Sequence, residues 1–283
     1  MFILVVRNNT NPKAMEASIL LSAYLDSLGI GTSFIDSSSL YEGVALKDCG
    51  LSDQDVDMAV VLGGDGTILH TAKLLSGKDA PILGINFGNL GFLANEGEFG
   101  VMELVSSALA GELLESKRAN LQIEVFCESS EKPIDAFALN EVVVTRGSMG
   151  RTITYSLDIS DVHIANVSGD GVIVATSTGS TAYSLAAGGP IVHPSFNGMI
   201  VQPLAPHTLT ARAMLTNSED VVSIDLCPTR GDREATIFVD GDMLQLPSKP
   251  LEVRVRRGSV PTRLLYRDSN HFYKYCERTF FNS

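Results

Sequence analysis

The sequence is short of positive charge, of paired cysteines and of long apolar runs. Its 283 residues set 21 Lys and Arg against 33 Asp and Glu, a formal charge of −12 at pH 7. A chain this acidic lacks the basic surface that nucleic acid or an anionic membrane requires, so neither is expected as a partner. The four cysteines, Cys49, Cys127, Cys227 and Cys276, lie far apart with no CxxC pair. That spacing speaks against a zinc site and against a disulfide framework. The five histidines form no metal-binding pattern, and His193 and His207 each adjoin proline in a manner suited to structural hydrogen bonding. No apolar run reaches the roughly 20 residues needed to cross a bilayer. The opening strand Phe2–Val6 has no cleavable-signal layout, and there is no internal repeat. A soluble, cytoplasmic protein is expected.

What is present reads as globular, with 45% hydrophobic and 19% charged residues. The length suits two domains. Residues 1–100 alternate between strand and helix, which predicts an α/β domain with a parallel sheet flanked by helices. Asn11-Pro12 is an N-cap followed by proline at the first helical position. Met15, Ile19, Leu20, Leu25 and Leu28 approximate one helical face. Met58–Leu62 and Pro81–Ile85 are apolar throughout, as strands buried on both faces should be. After a helix over Phe99–Ala110, short β-rich runs separated by turn residues such as Ser160-Asp161 and Gly231-Asp232 fill residues 101–265. They predict an all-β, sandwich-like domain, leaving residues 266–283 as a tail.

The strongest local signal is Gly63-Gly64-Asp65-Gly66-Thr67, directly after a buried strand. Open parallel sheets place ligands beyond the carboxyl ends of their strands. Glycines let backbone amides approach a phosphate, and the following helix N-terminus favours an anion. An aspartate in the middle suits proton abstraction from an attacking hydroxyl, or an approach to phosphates through Mg²⁺. The plainer alternative is a tight turn with Asp65 capping the next helix. A second signal runs from Gly169-Asp170-Gly171 through Thr176, Thr178-Gly179-Ser180-Thr181-Ala182-Tyr183. It is a turn, a strand and a hydroxyl-rich loop able to meet ribose or phosphate oxygens, or else a Ser/Thr-rich helix cap. Asn140-Glu141 opens a strand and suits ribose hydroxyls, or is a solvated strand end.

In that order, and joined by Gly84-Ile85-Asn86-Phe87-Gly88, Gly91-Phe92-Leu93, Gly188-Gly189-Pro190, His193-Pro194 and Pro203–His207, these stretches resemble the NAD kinase family from about residue 58 to 245. The loop at 63–67 alone is shared with lipid kinases and, more loosely, phosphofructokinases. The stretch from Asp170 to Pro194 is the specific one. The resemblance implies transfer of phosphoryl from ATP, another nucleoside triphosphate or polyphosphate to the adenosine ribose 2′-hydroxyl of NAD, giving NADP, with Mg²⁺ or another divalent cation. It implies Asp65 as general base, with Gly63, Gly64, Gly66 and Thr67 beside the nucleotide and Phe92 near the adenine. Asn140 and Glu141 would hold the nicotinamide-side ribose, and Asp170 would lie near the nicotinamide half. Thr178, Thr181, Ala182, Tyr183 and Ala205 would line the dinucleotide pocket. A homo-oligomer and a tail returning to the first domain are implied as well. The rivals are a lipid kinase built on the same loop and a non-catalytic dinucleotide-binding regulator.

Three positions depart from the family pattern. Phe87 stands where a polar or basic residue is frequent, Ser168 where an arginine can occur, and Asp242 where glutamine is frequent. They bear on phosphate donor and on the choice between NAD and NADH. Charge is also uneven. Residues 249–283 hold eight basic side chains against Glu252, Asp268 and Glu277, a local charge of +5. Arg254 and Arg256 share one face of a strand. They either serve a nucleotide phosphate or a partner subunit, or keep a solvated edge strand from aggregating.

Overall fold

The computed structural model describes residues 1–41, 46, 56–88, 91–97, 100–147, 150–208, 210–226 and 235–281. Cys49, Cys227, Asn89-Leu90, Phe99 and the turn at Gly231-Asp232 lie outside them. The chain divides into two compact units, one of Met1–Lys117 with Val260–Ser283 and one of Arg118–Ser259. These divisions fall at 118 and 260, against the sequence reading of 101 and 266.

The first unit opens with β1 (Phe2–Arg7), α1 (Pro12–Ser27), β2 (Gly31–Asp36), α2 (Ser37–Tyr41), β3 (Met58–Leu62), α3 (Asp65–Leu74), β4 (Ile82–Asn86), the short β5 (Asn95–Glu96), α4 (Val101–Leu109) and β6 (Leu114–Arg118). Strands β2, β1, β3 and β4 are neighbours in that order and all pair in parallel. Every residue of β3 and β4 is buried, which is why their sequences do not alternate. Helix α1 begins where the Asn11 side chain accepts the Lys13 and Ala14 amides at 3.0 and 3.3 Å. It stops before Gly29, whose φ of +68° suits glycine. Its buried stripe is Ala14, Ala17, Ser18, Leu21 and Leu25. Ile19, Leu20 and Leu28 are exposed instead, so the expected helical face is corrected. Ala14, Ala17 and Ser18 let this helix approach the sheet, with Leu21 and Leu25 buried beside them.

The second unit continues with β7 (Leu121–Cys127), β8 (Ile134–Ala138), β9 (Glu141–Arg146), β10 (Ile153–Ile159), β11 (Val162–Gly169), β12 (Gly171–Ala175), the one-turn α5 (Tyr183–Ala186), β13 (Ile200–Leu204), β14 (Met214–Leu215), β15 (Val221–Asp225), β16 (Ala235–Val239), β17 (Asp242–Met243) and β18 (Pro250–Arg257). They form two sheets, ordered β11-β10-β15-β18-β7-β8 and β14-β13-β12-β9-β16-β17. The described pairings within both are antiparallel. The inner faces share one core: Ile123, Tyr155, Ile224 and Val253 from the first sheet meet Val144, Val172, Val201 and Ile237 from the second. The second sheet is also covered on its far side, where Val143, Ile173, Ile200 and Leu204 pack with Ala187 and Val192. The segment after β12 thus returns over its own sheet, and β12 and β13 are buried throughout.

The chain then closes with β19 (Thr262–Tyr266), parallel to β4 in the first unit's sheet, and α6 (His271–Cys276). Its basic residues find acids of that unit. Arg263 meets Asp79 and Glu115, Arg267 meets Glu103, and Arg278 meets Glu96. Arg254 and Arg256 behave differently from the edge-strand expectation. Strand β18 lies inside its sheet, between β15 and β7. Arg254 pairs with Glu252 at 2.7 Å and lies 4.6 Å from the centre of the Phe126 ring, while Arg256 reaches Gln122. The two arginines complete a charged solvent face on a central strand.

Candidate active site

In the first unit the buried strand β3 runs into Gly63-Gly64, and α3 starts at Asp65 with Gly64 as its N-cap. Asp65 therefore stands at the carboxyl edge of the parallel sheet. Its Oδ2 accepts the Phe92 amide at 2.8 Å and its Oδ1 the Leu93 amide at 3.1 Å. A Cβ on Gly91 would lie 2.2 Å from either carboxylate oxygen, so only glycine admits this close approach. Two amides fix the carboxylate in place. The Gly63 amide donates to the Ile85 carbonyl and the Thr67 amide to the Gly64 carbonyl, both at 3.0 Å. Those two amides are spent on the fold, and Thr67 is buried. The expected phosphate-facing backbone narrows to the middle of the loop, where Gly64 is half-buried and Gly66 exposed.

Phe92, the expected adenine neighbour, packs among aromatic rings of the chain's end. Tyr275 lies 4.1 Å away between ring centres, and Phe280 and Phe272 at 6.0 and 6.1 Å. The Tyr266 hydroxyl donates to the Phe92 carbonyl at 3.3 Å. Phe87 joins the apolar core of this unit.

In the second unit the Asn140-Glu141 and Thr176–Tyr183 segments come together. The Thr176 amide donates to the Asn140 carbonyl at 2.8 Å and its hydroxyl to the Leu139 carbonyl at 2.6 Å. Gly179 lies so close that a Cβ there would be 2.3 Å from the Asn140 carbonyl oxygen. On the other side, the Asp240 carboxylate accepts the amides of Leu139, Asn140 and Glu141 at 2.7, 2.8 and 3.0 Å. Glu141 is 6% exposed. Burial, reinforced by the Asp240 charge and opposed by a hydrogen bond from the Tyr183 amide, pushes its carboxyl up to about 8. Its Oε2 and the Thr178 hydroxyl are buried without a hydrogen-bond partner among the described residues. Buried polar atoms are normally satisfied, so orphans on neighbouring segments point to a polar ligand.

Asp170 and Ala205 lie a short way off, with Tyr183, on a cavity of about 730 Å³ that also involves Arg146, Phe238 and Met243. Arg146 Nε is 2.8 Å from Asp170 Oδ1. Ser168 contributes no charge here, and its hydroxyl pairs with Thr154 at 2.8 Å. Thr181 and Ala182 are half-buried beside this group, and Thr181 donates to the Thr178 carbonyl at 3.3 Å. The sequence reading gave no role of their own to Arg146 and Asp240, while Thr176 lay inside its second signal.

The chain matches the family model of the ATP-NAD kinase N-terminal domain over residues 43–112 and that of the ATP-NAD kinase C-terminal domain over residues 139–266. It is 36% identical over 270 residues to an NAD kinase of Laribacter hongkongensis, covering 93% of this chain and 90% of that protein. With an NAD kinase of Heliobacterium modesticaldum it shares 34% over 283 residues, covering 98% and 94%. The chain belongs to the NAD kinase family. Two solved structures share its fold. A yeast NADH kinase complexed with NADH has a TM-score of 0.84 at 22% identity and covers 100% of this chain and 88% of that one. An NAD kinase of Archaeoglobus fulgidus in complex with ATP has a TM-score of 0.72 at 24% identity, covering 97% and 96%. Within the NAD kinase family pattern, Asp242 opens β17 and pairs with Val239 across the turn that carries Asp240.

Proposed function

We propose that the protein phosphorylates the 2′-hydroxyl of the adenosine ribose of NAD, using ATP or another phosphoryl donor, and releases NADP. The observation that carries this reading is the Asp65 carboxylate, fixed by two amides at the carboxyl edge of a parallel sheet beside the exposed Gly66. The 2′-oxygen forms the new bond to the γ-phosphorus as the bond to the β-bridging oxygen breaks. The hydroxyl proton passes to Asp65, and ADP leaves with the bond electrons. Such a transfer asks mainly for positioning and charge stabilisation. Glu141 and Thr178 would meet ribose hydroxyls through their unpartnered oxygens, with Asn140 beside them. Asp170, Thr181, Ala182, Tyr183 and Ala205 would hold the remainder of the dinucleotide.

Among the described residues no group of three or more His, Cys, Asp or Glu is arranged to hold a metal ion. A divalent cation would be carried by the donor phosphates, the usual habit of Mg²⁺. Asp65 is the carboxylate that would meet it, and bound Mg²⁺ would supply charge neutralisation of those phosphates. Action as a homo-oligomer in the cytoplasm belongs to the same proposal, supported by the family resemblance and by Cys127 and Cys276, both free.

The test is NADP formation by purified protein given NAD, ATP and Mg²⁺, with polyphosphate and NADH in parallel. Asp65→Asn is expected to lower turnover by about 10²–10⁴-fold. Full turnover in that variant with normal NAD binding would remove Asp65 from the role of base.

A further inference from the structure

Asn95 opens the short strand β5 and is buried. A side-chain amide offers two N–H donors and one carbonyl acceptor, and here both ends are engaged. Its Nδ2 donates to the Gly84 carbonyl at 3.1 Å and to the Leu265 carbonyl at 2.8 Å. Its Oδ1 accepts the Arg267 amide at 3.1 Å. Gly84 belongs to β4, Leu265 to β19, and Arg267 follows directly. One buried side chain therefore joins the parallel sheet to the chain's last strand, 170 positions away. Between its two partners lies Tyr266, also buried, whose hydroxyl donates to the Phe92 carbonyl at 3.3 Å. Phe92 stands three positions before Asn95 and gives its own amide to Asp65 Oδ2, while Leu93 gives its amide to Oδ1. Residues 92–95 are thus held against residues 265–267 at both ends. The two amides that fix Asp65 lie within that span.

Resting on Asp65 as the general base, we propose that Asn95 is a positioning residue for the phosphoryl transfer. It acts with Tyr266 through the Phe92 and Leu93 amides, which set the orientation of the Asp65 carboxylate. The three bonds of Asn95 suit no other side chain of its size. Aspartate would turn a buried charge on two carbonyls, and leucine would leave two carbonyls and an amide unpaired. A buried polar group with its bonds made rigidifies one geometry. Without Asn95 the turn loses its fixed distance from β19, and the Asp65 carboxylate loses its aim at the hydroxyl. Dinucleotide affinity, carried by Glu141, Thr178 and their neighbours in the proposed site, is left alone.

The experiment places Asn95→Ala and Tyr266→Phe in the wild-type protein and in Asp65→Asn. Asn95→Ala is expected to lower kcat by about 10–100-fold, the scale of a misplaced catalytic group. Tyr266→Phe is expected to lower it by about three- to tenfold, the rate equivalent of one neutral hydrogen bond. KM for NAD stays within about twofold in both, because ground-state binding is untouched. Neither change lowers turnover further once Asp65 is replaced, whereas a merely structural role would cost the same factor in both backgrounds. Hydrogen exchange at the Phe92 and Leu93 amides, read without any turnover, is expected to run about tenfold faster in both variants. Tyr266→Phe removes a single oxygen and decides the matter if Asn95→Ala does not fold. Wild-type kcat in either folded variant, equal losses in both backgrounds, or unchanged exchange at the two amides overturns the proposal. If the wild type forms no NADP, the kinase reading fails separately, and amide exchange alone decides whether Asn95 holds the loop.

Discussion

The carboxylate of Asp240 accepts the amide of Glu141 at 3.0 Å, although 99 positions separate them in the chain. It takes the Asn140 and Leu139 amides as well, and Asp240 adopts a φ of +48° to do so. A non-glycine residue in that region costs energy, and such positions cluster where surrounding structure over-determines them. Asp240→Ala leaves three amides without their charged acceptor. Loss of about 2–4 kcal/mol in stability to urea is expected, along with a raised KM for NAD. Turnover at saturating NAD should fall less than kcat/KM, because Asp240 acts through the placement of Asn140 and Glu141. Equal losses in kcat and kcat/KM would mean that it acts on the transition state instead.

The raised Glu141 carboxyl makes a pH prediction with a definite sign. Its ordinary value is 4.5 and burial, with the Asp240 charge, carries it to about 8 in the folded chain. Between those values the folded state holds a proton that the unfolded state has released. Stability therefore falls as pH rises through that window, and the loss is complete above about 8. The loss is on the order of 5 kcal/mol. Glu141→Gln keeps an acceptor for the Tyr183 amide and removes the titration. Urea unfolding of the variant between pH 5 and 8 should show a flatter profile than wild type and greater stability at pH 8. Parallel profiles would place the titration elsewhere.

Gly91 supplies a third prediction. Its virtual Cβ overlaps the Asp65 carboxylate at 2.2 Å, so Gly91→Ala must displace that group or the Gly91-Phe92 backbone. Misplacement of a catalytic group by about an ångström costs roughly 10²-fold in rate. Steady-state kinetics should show kcat falling by that order while KM for NAD changes little. Wild-type turnover in Gly91→Ala would mean that the Asp65 geometry is not the reactive one.

The sequence made some of this legible and hid the rest for physical reasons. Five apolar residues in a row identified β3, and the Pro81–Ile85 stretch, free of polar side chains, marked β4, because strands covered on both faces carry no alternation. The Ser160-Asp161 turn was readable from residue type, and both residues take positive φ, +48° and +65°. Helix α1 was found but only Leu25 of its expected face is buried, since the face turned to the sheet runs through Ala14, Ala17, Ser18 and Leu21 and leaves Ile19 and Leu20 in solvent. The glycine loop and the Thr178–Tyr183 stretch announced themselves through local chemistry. Arg146 and Asp240 did not. Each matters through a partner on another strand, and pairing order is not written into any window of sequence. The basic tail shows the same limit: its charge was countable, while Asp79, Glu96, Glu103 and Glu115 lie scattered through the first hundred or so residues.

The aromatic packing around Phe92 supplies the last prediction. Phe92 donates its amide to Asp65 and offers its carbonyl to Tyr266, and its ring meets Tyr275 edge-on at 4.1 Å. An aromatic pair contributes about 0.5–1.5 kcal/mol beyond the area it buries. Removing the Tyr275 ring therefore loosens the loop that orients the Asp65 carboxylate, without entering either unit's apolar core. Tyr275→Ala is expected to lower kcat/KM for NAD by about three- to tenfold, the rate equivalent of that energy. Tyr273 is 61% exposed and touches Phe272 rather than Phe92, so Tyr273→Ala serves as the control and should stay near wild type. Equal activity in the two variants would mean that the Asp65 contacts alone hold the loop, and that the chain's end contributes nothing to catalysis.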